Sequence, residues 1–230
     1  SGSKQPAIKV PVKALPRSVK TSATGDTAVV YSDGVVSIID ASGTTPIVRE
    51  VPGNHYSYSS DGFIAISADG TKAFVTEHGT GRVTIIDTAN PEQDPVYAST
   101  GDYLHSVATL QNGAGAFTVG HNALYAIDSV TTDVFNIAIP ANNNASDYQR
   151  VGVSANGGRV VAADNFGNFT AFTIDTGIFE DGDTELSEAE REALFTALTL
   201  GFGWIPLAGS FISAYALFVD VGELSEAAGR

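Results

Sequence analysis

The chain contains no cysteine and no methionine. Disulfides, thiolate metal sites and thiol nucleophiles are thereby excluded. Basic residues are scarce: 12 Lys and Arg stand against 26 Asp and Glu, a formal charge of −14. No three consecutive positions are all Lys or Arg, so no basic strip offsets the repulsion of a phosphate backbone, and nucleic acid is not an expected partner. Charged residues reach only 17% while hydrophobic ones make up 43%, which excludes a wholly disordered chain. Motifs for catalysis are missing as well. There is no Gly-x-Ser-x-Gly elbow, phosphate loop, His-Glu-x-x-His helix or Ser-His-Asp spacing, so no catalytic residue, metal site or cofactor is expected. The opening Ser1-Gly2-Ser3-Lys4-Gln5, without an initiator Met, leads to the expectation of a processed or truncated chain of extracytoplasmic origin, secreted or cell-surface.

What is present is a repeat of about forty-four residues, read four times. Its clearest copy runs Ser67-Ala68-Asp69-Gly70-Thr71-Lys72-Ala73-Phe74-Val75-Thr76 and continues in Val83-Thr84-Ile85-Ile86-Asp87. Turn glycines recur at Gly25, Gly70, Gly113 and Gly157, and each is followed by an aspartate closing an apolar run, at Asp40, Asp87, Asp128 and Asp175. Between them lie apolar runs too short for helices, separated by Gly, Asp, Asn and Ser clusters that supply turn geometry. Outer strands are expected at 46–51, 95–98 and 134–140, and none after Asp175. Pro6-Ala7-Ile8-Lys9-Val10-Pro11 is similar to the first of these, so the amino terminus is expected to complete the last unit. Such periodicity predicts a mainly β fold, a β-propeller of about four blades. Two readings stand: four blades closing a small ring, or part of a larger ring of six to eight whose remaining blades lie on a missing segment or another chain.

Residues 67–89 resemble the YVTN family of β-propeller repeats, with Phe74-Val75-Thr76-Glu77 in place of the namesake tetrapeptide. The other copies match at the glycine and the aspartate, and the resemblance covers residues 6–176. It implies a cell-surface or secreted binding or scaffold protein, with sugar-lactone hydrolases among related rings.

Superposing the copies on their glycines places Asp33, His78, His121 and Asn165 at one position, in the turn between the second and third strands of each unit. These residue types orient polar ligands or ligate cations, and repeat symmetry would array them on one face, which makes them the candidate ligand-binding set. Turn chemistry alone also favours Asp and Asn there. His55, His105 and Glu77 are further candidates if the connections between copies line a central channel. The four repeated aspartates, by contrast, are expected to accept hydrogen bonds from the turns that follow them.

After Asp175 the character changes. Residues 177–186 read as an acidic linker, and Ser187-Glu188-Ala189-Glu190 as a capping box opening a helical segment over 187–230. Leu194 to Val219 carries no charge, and Gly201, Gly203, Pro206 and Gly209 divide it into an apolar helical pair. Three roles compete for that pair: covering an apolar propeller face or a second subunit, contact with a membrane, or a linker like the hydrophobic segments preceding toxin domains in some secreted proteins. The expected function is a non-catalytic extracytoplasmic binding or assembly module, an oligomer or partner-binding protein acting through its disc face or helices. The alternatives are a lactone hydrolase-like or metal-assisted enzyme and a membrane-tethered propeller.

Overall fold

The computed structural model describes residues 8–53, 64–121, 123–138, 148–154, 157–164, 169–174, 205–207, 210–212 and 214–216. Their secondary structure is all β. The first sheet is β1 (Pro16–Thr21), β2 (Thr27–Ser32), β3 (Val35–Asp40) and β4 (Ile47–Glu50), antiparallel in chain order. A second follows with β5 (Ile64–Ile66), β6 (Lys72–Glu77), β7 (Arg82–Asp87) and β8 (Val96–Ser99). The third is β9 (Ser106–Thr109), β10 (Gly115–Val119), β11 (Ala123–Asp128) and β12 (Val134–Ala138). The fourth begins with β13 (Tyr148–Val153), β14 (Arg159–Asp164) and β15 (Phe169–Ile174). Each sheet is one repeat, a blade.

The first strands of successive blades neighbour one another in the order β1, β5, β9, β13, which is the stacking of a propeller-like fold. Adjacent blades meet face to face, so a middle strand is covered on both sides and reads as a continuous apolar run rather than an alternating one. β6 and β10 are buried along nearly their whole length for this reason. Three apolar seams result. Val29, Tyr31, Val36 and Ile38 of blade 1 pack on Ile64, Ala73, Val75 and Ile86 of blade 2. Phe74 and Ile85 of blade 2 meet Val107, Ala116 and Ile127 of blade 3. Phe117, Val119 and Leu124 of blade 3 meet Tyr148, Val160 and Phe172 of blade 4. Burying one such Phe or Ile stabilises the fold by about 1.5–3 kcal/mol, which makes the seams the principal source of cohesion.

The repeat signature has a local cause. Gly25, Gly70, Gly113 and Gly157 all lie in the left-handed region, with φ of 80°, 76°, 72° and 72°, in the turns joining first and second strands. The repeated aspartates act as expected: Asp40 Oδ1 accepts from Ser42 N and Oγ at 3.0 and 2.6 Å, Asp87 from Ala89 N at 2.9 Å, and Asp128 from Val130 N and Thr131 N at 2.7 and 2.8 Å. The Ser42 bonds hold the Asp40 carboxyl below its ordinary range. Asp175 lies outside the described residues.

Two expectations about the ends differ from the structure. Residues 8–11 form no strand, and the outer neighbour of β15 is β18 (Ala214–Ala216), paired from Phe172↔Ala216 to Ile174↔Ala214. An open sheet edge presents a row of unpaired backbone groups, and an extended segment satisfies them through its own backbone whichever terminus supplies it. The described residues inside the expected helical pair are likewise strands: besides β18, β16 (Ile205–Leu207) pairs with β17 (Ser210–Ile212). The remainder of that segment and the acidic linker lie outside the described residues. Among the described residues no helix is long and apolar enough to cross a membrane.

Candidate functional site

The β6–β7 and β10–β11 turns and the connection between β8 and β9 lie on one face of blades 2 and 3. At the seam of blades 2 and 3 that face carries a cluster of four rings. His78 comes from the β6–β7 turn, His121 from the β10–β11 turn, and Tyr103 and His105 from the connection between β8 and β9. The ring centroid of His78 lies 5.5 Å from Tyr103 and 4.7 Å from His105, and that of His121 lies 5.3 Å from Tyr103 and 5.7 Å from His105. His105 is buried at the base, His78 is half-buried, and Tyr103 and His121 are exposed above them.

The connection is held from both sides. Thr100 donates through N and Oγ1 to Gly81 O at 2.8 and 3.0 Å, tying it to blade 2. His105 N donates to Val119 O at 2.9 Å, tying it to blade 3. Between these anchors the Asp102 carboxylate accepts three bonds: from Tyr103 N at 2.7 Å, His121 N at 3.0 Å and the Tyr125 hydroxyl at 3.1 Å. Burial, and then the adjacent Asp102 charge, push the Tyr125 phenol up, so it remains a donor throughout the ordinary pH range. His78 Nδ1 stands 2.8 Å from Leu104 O, and a carbonyl only accepts. Nδ1 therefore carries the proton, and in the neutral ring Nε2 is left as an acceptor.

Gly81 makes this packing feasible. Its φ is +66°, and a Cβ there would fall 2.6 Å from Asp102 O and 2.8 Å from Asp102 N. Gly120, from the opposite turn, abuts the Asp102 carboxylate in the same manner. Gly81→Ala is expected to destabilise the protein by about 1–3 kcal/mol through backbone strain alone, with the clash adding to it. Urea denaturation measures the loss, and shifted His78 and His121 ring resonances report the displaced connection.

Of the sequence-derived candidates among the described residues, the structure brings together His78 and His121. Asp33 is not with them. It sits in the β2–β3 turn at φ 35°, where its Oδ1 accepts from Arg17 Nε at 2.7 Å, so in blade 1 this position does turn chemistry. Asn165 and His55 lie outside the described residues. Glu77 is fully buried rather than exposed at a channel, and it accepts from Arg82 Nε at 3.0 Å, Thr84 Oγ1 at 2.9 Å and Thr80 Oγ1 at 3.2 Å. His105 was singled out in the sequence, whereas Tyr103 and Asp102 were not; a Tyr and an Asp beside a connection histidine are the only signal they leave. Among the described residues no group of three His, Asp or Glu side chains is placed to hold a metal ion.

Four-stranded blades stacked, among the described residues, through three seams define this chain as a mainly β, propeller-like protein. No family model matches it, and no curated protein matches it in sequence. Among solved structures it is similar to the hydrazine synthase of Kuenenia stuttgartiensis, with a TM-score of 0.56 and 18% identity, over 77% of this chain and 50% of that one. At that identity the likeness concerns the fold alone. The chain thus spans about half the length of the structure it matches.

Proposed function

We propose that this chain is a non-catalytic binding module of the YVTN-like propeller type, extracytoplasmic in location, which engages a protein partner through the disc face at the seam of blades 2 and 3. The single observation that supports this reading is the four-ring cluster of His78, Tyr103, His105 and His121. It offers flat aromatic surface, with Tyr103 52% exposed, on a platform fixed to two blades. Exposed aromatic side chains held rigidly by their surroundings lose little entropy on binding, and they are the residues that dominate protein interfaces.

The test is selection of a displayed random-peptide library on the whole chain, followed by binding measurements with the enriched peptides. In the double variant Tyr103→Ser, His121→Ser, affinity is expected to fall about thirtyfold, as for a binding hot spot, while the melting temperature is unchanged. Enriched peptides that bind the double variant as tightly as the parent would sink the proposal.

A further inference from the structure

Near the turn glycines, the seam between blades 2 and 3 is filled by a lysine, and the equivalent part of the seam between blades 1 and 2 is a cleft. Both seams are built alike there. The turn glycine of one blade lies against the residue two places after the turn glycine of the blade before it, which is Thr27 in blade 1 and Lys72 in blade 2. A Cβ on Gly70 would fall 3.2 Å from Thr27 Oγ1 and 3.1 Å from Ser22 Cβ, and one on Gly113 would fall 3.1 Å from Lys72 Cγ and 3.2 Å from Ser67 Oγ. Thr27 pairs across the strands with Asp40, and Lys72 with Asp87, both of them repeated aspartates. In blade 2 the lysine side chain runs past Gly113 and brings its ammonium within 3.6 Å of Asp87 Oδ2.

Thr27 ends at its β-branch and cannot reach in this way. What remains is a cavity of about 470 Å³, a size within the range of small-molecule sites. Ile38 and Ile47 of blade 1 give it apolar wall, and Gly70, Thr71 and Thr88 line it from blade 2. Three charged side chains also line it, Asp26, Asp40 and Arg49. Asp40 accepts both Ser42 bonds on Oδ1, which leaves Oδ2 for another donor. Among the described residues, the Asp26 carboxylate and the Arg49 guanidinium have no hydrogen-bond partner. Two carboxylates thus stand against one guanidinium, at the place where the next seam holds an ammonium.

We propose that this cleft binds a small zwitterion carrying a primary ammonium and a carboxylate, as a free amino acid does. The ammonium takes beside Asp40 the place that Lys72 Nζ takes beside Asp87, with Asp26 adding to the attraction. Arg49 takes the carboxylate, for which the planar guanidinium fork is suited. Ile38 and Ile47 give apolar contact to the carbon chain of the ligand. The cleft shares no residue with the four-ring cluster, so either proposal can fail without the other.

Isothermal titration of the whole chain with each of the common L-amino acids, and with butylamine and butyrate as the two halves of such a ligand, tests it. At least one amino acid is expected to bind saturably, and at least about tenfold more tightly than either half, because each half keeps only one charged contact. Thr27→Lys gives blade 1 the lysine of blade 2, where the same turn geometry accepts it. This variant is expected to fold, as an unchanged circular dichroism spectrum checks, and to bind at least about tenfold more weakly because its own ammonium fills the site. Asp40→Asn keeps an acceptor for Ser42 and is expected to lose as much. Absence of saturable binding by any amino acid would overturn the proposal. So would butylamine binding as tightly as the best amino acid, or binding that Thr27→Lys and Asp40→Asn both leave intact.

Discussion

Arg82→Ala is expected to destabilise the protein by about 3–5 kcal/mol, because it strands a buried carboxylate. Glu77 is 0% exposed, and Arg82 neutralises it through two contacts, Nε to Oε1 at 3.0 Å and Nη2 to Oε2 at 2.9 Å. Thr84 and Thr80 fill further acceptor sites on the same carboxylate, but hydroxyls bring no charge. The guanidinium also lies over the Tyr97 ring, with Cζ 4.3 Å from its centroid, an attraction of about 0.5–1 kcal/mol that goes with it. Because the Arg82 side chain is 34% exposed, water partly screens the pair, and a value at the lower end of the range is expected. Adding Glu77→Gln to Arg82→Ala removes the stranded charge and is expected to restore part of the loss. Urea denaturation of the single and double variants measures both steps. A single variant within about 1 kcal/mol of the parent would overturn the view that Arg82 compensates a buried charge.

Phe117→Ala is expected to cost a similar amount, about 3–5 kcal/mol, for a different reason. Phe117 is 0% exposed in the middle of β10 and fills the seam between blades 3 and 4, among Leu124, Tyr148, Val160 and Phe172. Among the described residues, blade 4 is held through this seam on one face only. Weakening it is therefore expected to uncouple β13, β14 and β15 before the rest. Amide exchange should show their protection falling first, with β6 and β10 of the doubly covered blades falling last. Uniform loss of protection across all four blades would argue that they unfold as one unit.

The blades were legible because each repeat carries its own turn chemistry. A glycine at positive φ and an aspartate accepting from the next turn are local requirements, met within a few residues, so they appear in the sequence at the spacing of the fold. β1 was not legible in the same way. Its residues, Pro16-Arg17-Ser18-Val19-Lys20-Thr21, contain no apolar run, and five of the six are exposed, since the strand lies at the end of the arc with little to pack against. The edge of blade 4 was misjudged for a related reason: backbone pairing at an edge depends on which extended segment arrives there, and side-chain pattern carries little of that information.

The candidate site was half legible. Repeat arithmetic singled out His78 and His121, but it applied the same role to Asp33, which pairs with Arg17 in its own blade. Nor could it show that Tyr103 and His105 would complete the cluster, because the connection between blades lies outside the repeated turn.

What the sequence alone determined is the repeat unit: strands, their turns, and the apolar character of both sheet faces, all of which follow from backbone and burial requirements local to each forty-four-residue copy. Only the tertiary structure decided which histidines meet and that Glu77 is an internal ion-pair partner. Those outcomes depend on how neighbouring sheets stack, and distances between separate sheets are set by packing rather than by spacing along the chain.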